Sequence, residues 1–101
     1  MHLVQLLLPL YDNEGRAFPR EQLRGVRDEL TRRFGGVTTY DRTPAAGIVE
    51  AGQHIVRDDI VVLEVMVQEL SASWWNAYRA RLEQAFAQDR IIVRALPTTL
   101  L

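Results

Sequence analysis

Residues 60–67 read IVVLEVMV, and this stretch limits the possible folds of the chain more than any other. Its branched apolar side chains lose freedom in a helix and pack well on a pleated surface, so a strand is expected. Successive side chains of a strand point to opposite faces. Val61, Leu63, Val65 and Val67 therefore form an unbroken apolar row that needs a covered face, while Val62, Glu64 and Met66 look the other way. Such a continuous apolar run belongs in the middle of a sheet. The carboxylate of Glu64, set among valine, leucine and methionine, marks the second face as more than plain solvated surface.

The rest of the chain supplies the sheet and its cover. Residues 2–8 are apolar and bounded by PLYDNEG, whose Pro, Asp, Asn and Gly form turns, which gives a first strand. Pro19 is expected as the first residue of a helix, with Glu21 in its first turn. Leu23, Val26, Leu30 and Phe34 recur at intervals of three and four and define one apolar stripe; Gly35-Gly36 ends it. Gly25 falls opposite that stripe. GVTTYDR reads as a second strand, TPAAG interrupts it, and GIVEAGQHIV is expected to form a hairpin turning near Ala51-Gly52. A third strand runs from His54 or Asp59 to Gln68. Ser71 or Ser73 caps a second helix with a stripe of Trp74, Tyr78, Leu82 and Ala85, flanked by Trp75 and Phe86, ending near Gln88. RIIVRAL is a fourth strand. Pro97 is expected to disrupt its pairing, leaving TTLL as a tail or short edge strand.

The order β-α-β-β-α-β is the split βαβ, or ferredoxin-like, arrangement of the α+β class. Right-handed crossovers put both helices on one face of a four-stranded antiparallel sheet, with the first and third strands central. A chain of 101 residues suffices for one such domain, residues 1–101, and is too short for two.

Alternation carried across that sheet defines its open face. It collects Leu3, Leu7, Val62, Met66 and Ile92 together with Gln5, Thr38, Tyr40, Arg42, Glu64 and Arg94. A contiguous apolar patch on a small protein marks a partner or ligand surface. Gln5, Tyr40, Glu64, Met66 and Arg94 are the candidate ligand or interface residues. The order and size of the elements, and the apolar face around Gln5, Glu64 and Arg94, resemble the dimeric α+β barrel branch of ferredoxin-like proteins. VVLEVMV followed by WWNAYRARLEQAF is also similar to small bacterial proteins of unassigned function. The resemblance implies a homodimer with two sheets packed open face to open face, in some members around a small molecule that is bound or transformed. It supplies no active-site residue.

Two roles are open for Glu64. It can form a structural pair with Arg94, which reaches across the first strand, or it can serve as an acid or base in an enclosed pocket, with a pKa raised by burial. The expected function is accordingly a homodimeric small-molecule-binding or interaction module. The alternative is a small cofactor-independent enzyme, of isomerase or oxygenase type, acting on an apolar metabolite in the dimer pocket. A regulatory domain that senses a small molecule is a third reading. An enclosed cavity reaching Glu64 favours the enzyme; a dry, filled interface favours the structural module.

Other chemistries find little support. His2 is terminal, His54 lies near the hairpin tip, and the two lack the spacing of a metal pair, so no metal site is expected. Asp58-Asp59 beside Arg57 reads as a charged strand entrance. Trp74-Trp75 reads as core or dimer edge, and Tyr11 with YDNEG as turn chemistry. No serine motif, glycine-rich phosphate loop or paired catalytic carboxylates occur, and no cofactor is expected. Without cysteine there is no disulfide, thiolate metal site or cysteine nucleophile, which fits a reducing compartment, and a cytoplasmic protein is expected. LVQLLLPL lacks the basic start and the cleavage site of a signal peptide, and no apolar run nears the roughly 20 residues of a membrane span. All 12 basic residues are arginine, and the net charge of −1 offers no general attraction to nucleic acid or anionic lipid. RNA-recognition domains share this element order but stack bases on aromatic residues of the central strands. LVQLLL and VVLEVMV carry none, so nucleic-acid partners are not expected.

Overall fold

The computed structural model describes residues 1–42, 49–51, 54–56 and 59–101. Its elements are β1 (His2–Pro9), α1 (Arg20–Phe34), β2 (Thr38–Arg42), β3 (Val49–Ala51), β4 (His54–Val56), β5 (Ile60–Val67), α2 (Ala72–Ala85) and β6 (Ile92–Pro97). Four strands form one sheet in the order β2-β5-β1-β6, with every neighbouring pair antiparallel. The first and third long strands are central, as their apolar runs require.

The expected hairpin is present as a separate two-stranded sheet, in which Val49 pairs with Val56 and Ala51 with His54. It takes His54 into β4, so of the two expected starts, His54 and Asp59, the third long strand follows the later one and begins at Ile60. The short β4 satisfies its backbone groups locally against β3 and leaves β5 as a distinct element. Gly52 of the expected turn, Arg57, Asp58 and the TPAAG stretch lie outside the described residues.

The β5 alternation sets the core. Val4 faces Val65, Leu6 faces Leu63 and Leu8 faces Val61 across the β1–β5 ladder, and all six are buried. Val26 and Leu30 of α1 and Trp75, Tyr78 and Leu82 of α2 close over this row in one cluster with Phe86 and Ile91. Both helices therefore cover the same face. Each fully buried Leu or Val contributes about 1.5–3 kcal/mol.

The helix ends follow local chemistry. Pro19 occupies the cap position, one residue before the helix begins at Arg20, and its carbonyl accepts from the Gln22 N–H. Gly35 ends α1 in the left-handed region, φ 83°, with its N–H on the Thr31 carbonyl at 2.8 Å. A side chain at that φ would be strained, which explains the glycine. Ser71 caps α2, its Oγ accepting from the Trp74 N–H at 3.4 Å. In the YDNEG loop, Asp12 Oδ1 accepts from the N–H groups of Glu14 and Arg16, both at 2.9 Å. Turn formation accounts for that motif.

The α2 stripe differs from the expected one. Trp75, Tyr78, Leu82 and Phe86 are buried, whereas Trp74 is half-buried and Ala85 exposed. Spacings of three, four and four hold the observed set in a narrow arc over the sheet, and Trp74 and Ala85 fall at the edge of that arc. Trp74 fills the seam between the helices instead. It meets Phe34 edge-on at 5.3 Å, stacks on Tyr78 at 4.9 Å and lies under the Arg33 guanidinium at 4.5 Å.

Two corrections concern β6. It begins at Ile92, later than RIIVRAL suggests, because the Ile91 N–H donates to Glu83 Oε2 of α2 at 3.0 Å. That bond, with Arg79 at 2.9 Å, holds the Glu83 carboxyl below the usual carboxylate range despite the opposing effect of burial. Pro97 does not break the pairing: it stands opposite His2, and the Thr98 N–H donates to the Met1 carbonyl at 3.1 Å. Alternation then turns the nitrogen of Pro97 to the open edge, where a missing donor costs nothing.

Burial pushes the Tyr78 phenol above its ordinary pKa; the Glu29 carboxylate adds to the shift and Arg81 opposes it. Above about pH 10 the unfolded chain releases this proton while the folded chain keeps it, so stability falls as pH rises. The chain has no lysine to obscure that range. Denaturation midpoints measured from pH 8 to 11 should decline for the native protein and decline less for Tyr78→Phe. Parallel curves would remove Tyr78 as the cause.

Candidate functional site

The register of the sheet builds the site on the face away from the helices. Glu64 on β5 stands opposite Gln5 on β1 and Thr38 on β2, and Gln5 stands opposite Arg94 on β6. Thr38, Glu64, Gln5 and Arg94 thus form one polar row across the sheet. One apolar row lies on either side of it. Tyr40, Val62, Leu7 and Ile92 make the first; Met66, Leu3 and Leu96 make the second. Tyr40, Met66, Ile92 and Leu96 are 51%, 45%, 45% and 44% exposed, far more than any residue of the covered row.

Within the polar row the side chains are linked. Arg94 Nε donates to Gln5 Oε1 at 2.7 Å, and Gln5 Nε2 donates to Glu64 Oε2 at 2.7 Å. The orientation of the Gln5 amide follows from its neighbours, since its oxygen alone can face the guanidinium and its NH₂ alone the carboxylate. The direct Glu64–Arg94 pair expected from the sequence is replaced by this bridge. Adjacent strands lie about 4.8 Å apart, so the two charged residues sit on strands separated by twice that distance, and Gln5 on the strand between them has the right length to join them. Both bonds involve an ionised partner and belong to the stronger class of hydrogen bond.

Glu64 is half-buried, and among the described residues its Oε1 has no partner. A cleft of about 640 Å³ opens beside it. Leu3, Tyr40 and Met66 give the cleft its apolar surface, Thr38 and Glu64 its polar one, and the turn from Phe34 through Gly36 to Val37 forms a wall. A carboxylate oxygen without a partner among the described residues, on a cleft of mixed polar and apolar lining, can accept from a cation or from an N–H or O–H donor, and it can take up a proton.

All five candidate residues therefore share one face. Gln5, Glu64 and Arg94 are bonded in series, while Tyr40 and Met66 border the cleft. His2 lies at the start of β1, opposite Pro97 and Val67, away from the row. Sequence reasoning missed Leu96 and the cleft wall. Leu96 could have been found by extending the β6 alternation two residues past Arg94. Gly35-Gly36 read only as a helix stop, and nothing local in the sequence shows that this turn borders a cleft.

No family model matches the chain, and no curated protein matches it. Two solved structures share its fold. A phage SAM lyase in complex with S-methyl-5'-thioadenosine aligns with TM-score 0.58 at 13% identity, over 94% of this chain and 79% of the other. A phage SAM lyase in the apo state aligns with TM-score 0.56 at 12% identity, over 94% and 78%.

Proposed function

We propose that the protein is a small-molecule-binding homodimer whose open sheet faces pair and whose ligand lies in the cleft beside Glu64. The observation that carries this reading is the Glu64 carboxylate, whose Oε1 has no partner among the described residues and which lines a cleft with Leu3, Tyr40 and Met66. The ligand has an apolar or aromatic body for those side chains and a neutral hydrogen-bond donor for Glu64. Leu7, Ile92 and Leu96 extend the apolar surface beyond the cleft, which supports pairing with a second copy. A cysteine-free chain of this kind suits the cytoplasm.

A second reading, a small cofactor-independent enzyme, draws on the shared fold with phage SAM lyase. S-methyl-5'-thioadenosine combines an aromatic base with a thioether, and a sulfonium such as that of SAM would set a cation against Glu64. In this reading Glu64 also accepts a proton from the carbon next to the one that bears the sulfonium sulfur. The C–H electron pair forms a C=C bond as the C–S bond breaks, and S-methyl-5'-thioadenosine leaves with the sulfur electron pair.

Light scattering at micromolar concentration is expected to give twice the chain mass, and S-methyl-5'-thioadenosine or other apolar ligands should raise the melting temperature of the native protein more than that of Glu64→Gln. A monomer mass would remove the dimer, and equal shifts in the two proteins would remove the cleft as the site. Release of S-methyl-5'-thioadenosine from SAM by the native protein, lost in Glu64→Gln, decides for the enzyme.

A further inference from the structure

We infer that the two open faces pair about a twofold axis parallel to the strands, so that the partner's Arg94 comes over the Glu64 side of the sheet and closes the cleft. This rests on the face-to-face pairing proposed above and adds to it an orientation and a residue of the site.

The reason lies in the order of charge along the polar row. It is negative on β5 at Glu64, neutral on β1 at Gln5 and positive on β6 at Arg94, in direct register. Two identical sheets stacked on a twofold axis can present this row to itself in two ways. An axis parallel to the strands and running over Gln5 of β1 reverses the row, so the partner's β6 lies over β5 and each Glu64 meets the partner's Arg94. An axis across the strands keeps the sense of the row, so β5 lies over β5 and each Glu64 meets its own copy. The apolar rows fit either arrangement, because Tyr40, Val62, Leu7 and Ile92 on one side and Met66, Leu3 and Leu96 on the other are all apolar or aromatic. Charge decides between them. The first arrangement makes two opposite-charge contacts at a desolvated face, and the second makes two like-charge contacts, which such interfaces avoid.

The position of the cleft agrees. It lies at the β2–β5 side, beside Thr38, Tyr40, Glu64 and Met66. The exposed Ile92 and Leu96 belong to β6, the opposite edge of the sheet. Reversal lays that apolar edge of one copy over the cleft of the other. The Arg94 guanidinium uses its Nε on its own Gln5, which leaves its terminal nitrogens to reach the partner.

Sedimentation equilibrium on the full chain tests this with three variants. Glu64→Gln keeps an acceptor for Gln5, and Arg94→Gln removes the other charge; each should weaken dimerisation about tenfold or more, as loss of a buried interfacial charge does. The double reversal Glu64→Arg with Arg94→Glu, in which the Gln5 amide turns over to serve both new partners, should restore association. Circular dichroism of each variant establishes that it is folded. Dimers that tighten or do not change in Glu64→Gln would overturn the orientation while leaving the pairing of faces intact. A double reversal no better associated than the single variants would do the same. A native protein that stays monomeric would instead overturn the pairing itself.

Discussion

Phe86→Ala is expected to cost about 3–5 kcal/mol, the usual loss for a large aromatic residue removed from a core. Phe86 has no exposed surface, and it meets Phe18 edge-on at 4.9 Å. It also stands where α2 ends, its N–H bonded to the Leu82 carbonyl at 2.9 Å. The cavity would therefore open between the end of α2, the sheet and the chain entering α1, three parts held by separate contacts that cannot collapse together. Against a typical domain stability of about 5–15 kcal/mol the loss is a large share. Leu30→Ala and Leu82→Ala, in the same cluster, are expected to cost about 2–5 kcal/mol each. Arg24→Ala and Gln84→Ala, both exposed, should stay within about 0.5 kcal/mol of the parent. Urea denaturation separates the two groups. A Phe86→Ala midpoint indistinguishable from those of the exposed variants would mean that the helix layer is not packed as described.

Leu7→Asp should dissociate the dimer proposed above, with association weakened by about a hundredfold or more, because the proposed twofold would bury an unpaired carboxylate twice. Leu7 lies between Val62 and Ile92 in the apolar row of the open face. Its side chain points away from the buried cluster, so the monomer fold should survive. The expected result is a folded monomer: an unchanged circular dichroism spectrum with half the mass in light scattering. A Leu7→Asp protein that remains dimeric would place the interface on another surface. One that unfolds would show that the open face is needed within the single chain. Met66→Asp, on the opposite flank of the polar row, checks the same point beside the cleft.

Much of this fold was legible because its signals are local. The period-two pattern of β5 assigned Val61, Leu63, Val65 and Val67 to the covered face, and all four are buried. Gly35 as a helix stop and Ser71 as a helix cap follow from backbone needs within one turn. The hairpin around residues 49–56 announced itself in turn residues between β-branched ones. The misses share a different character. Trp74 and Trp75 are adjacent and chemically alike, and only the packing of α2 against both the sheet and α1 assigns one to the core and the other to the seam. The late start of β6 depends on Glu83, a residue of another element that binds the Ile91 N–H.

The candidate site divides the same way. Alternation alone placed Gln5, Tyr40, Glu64, Met66 and Arg94 on one face, since each strand's pattern sets which of its residues share a side. It could not say which of them touch. The bridge from Arg94 through Gln5 to Glu64 joins residues 89 and 59 positions apart, and it exists because the β1–β5 and β1–β6 registers bring all three into one line. A register shifted by two residues would keep every face assignment and break that line. Direction is written in the local period of the chain, whereas adjacency is a property of strands paired across long sequence separations, and only the tertiary structure decides it.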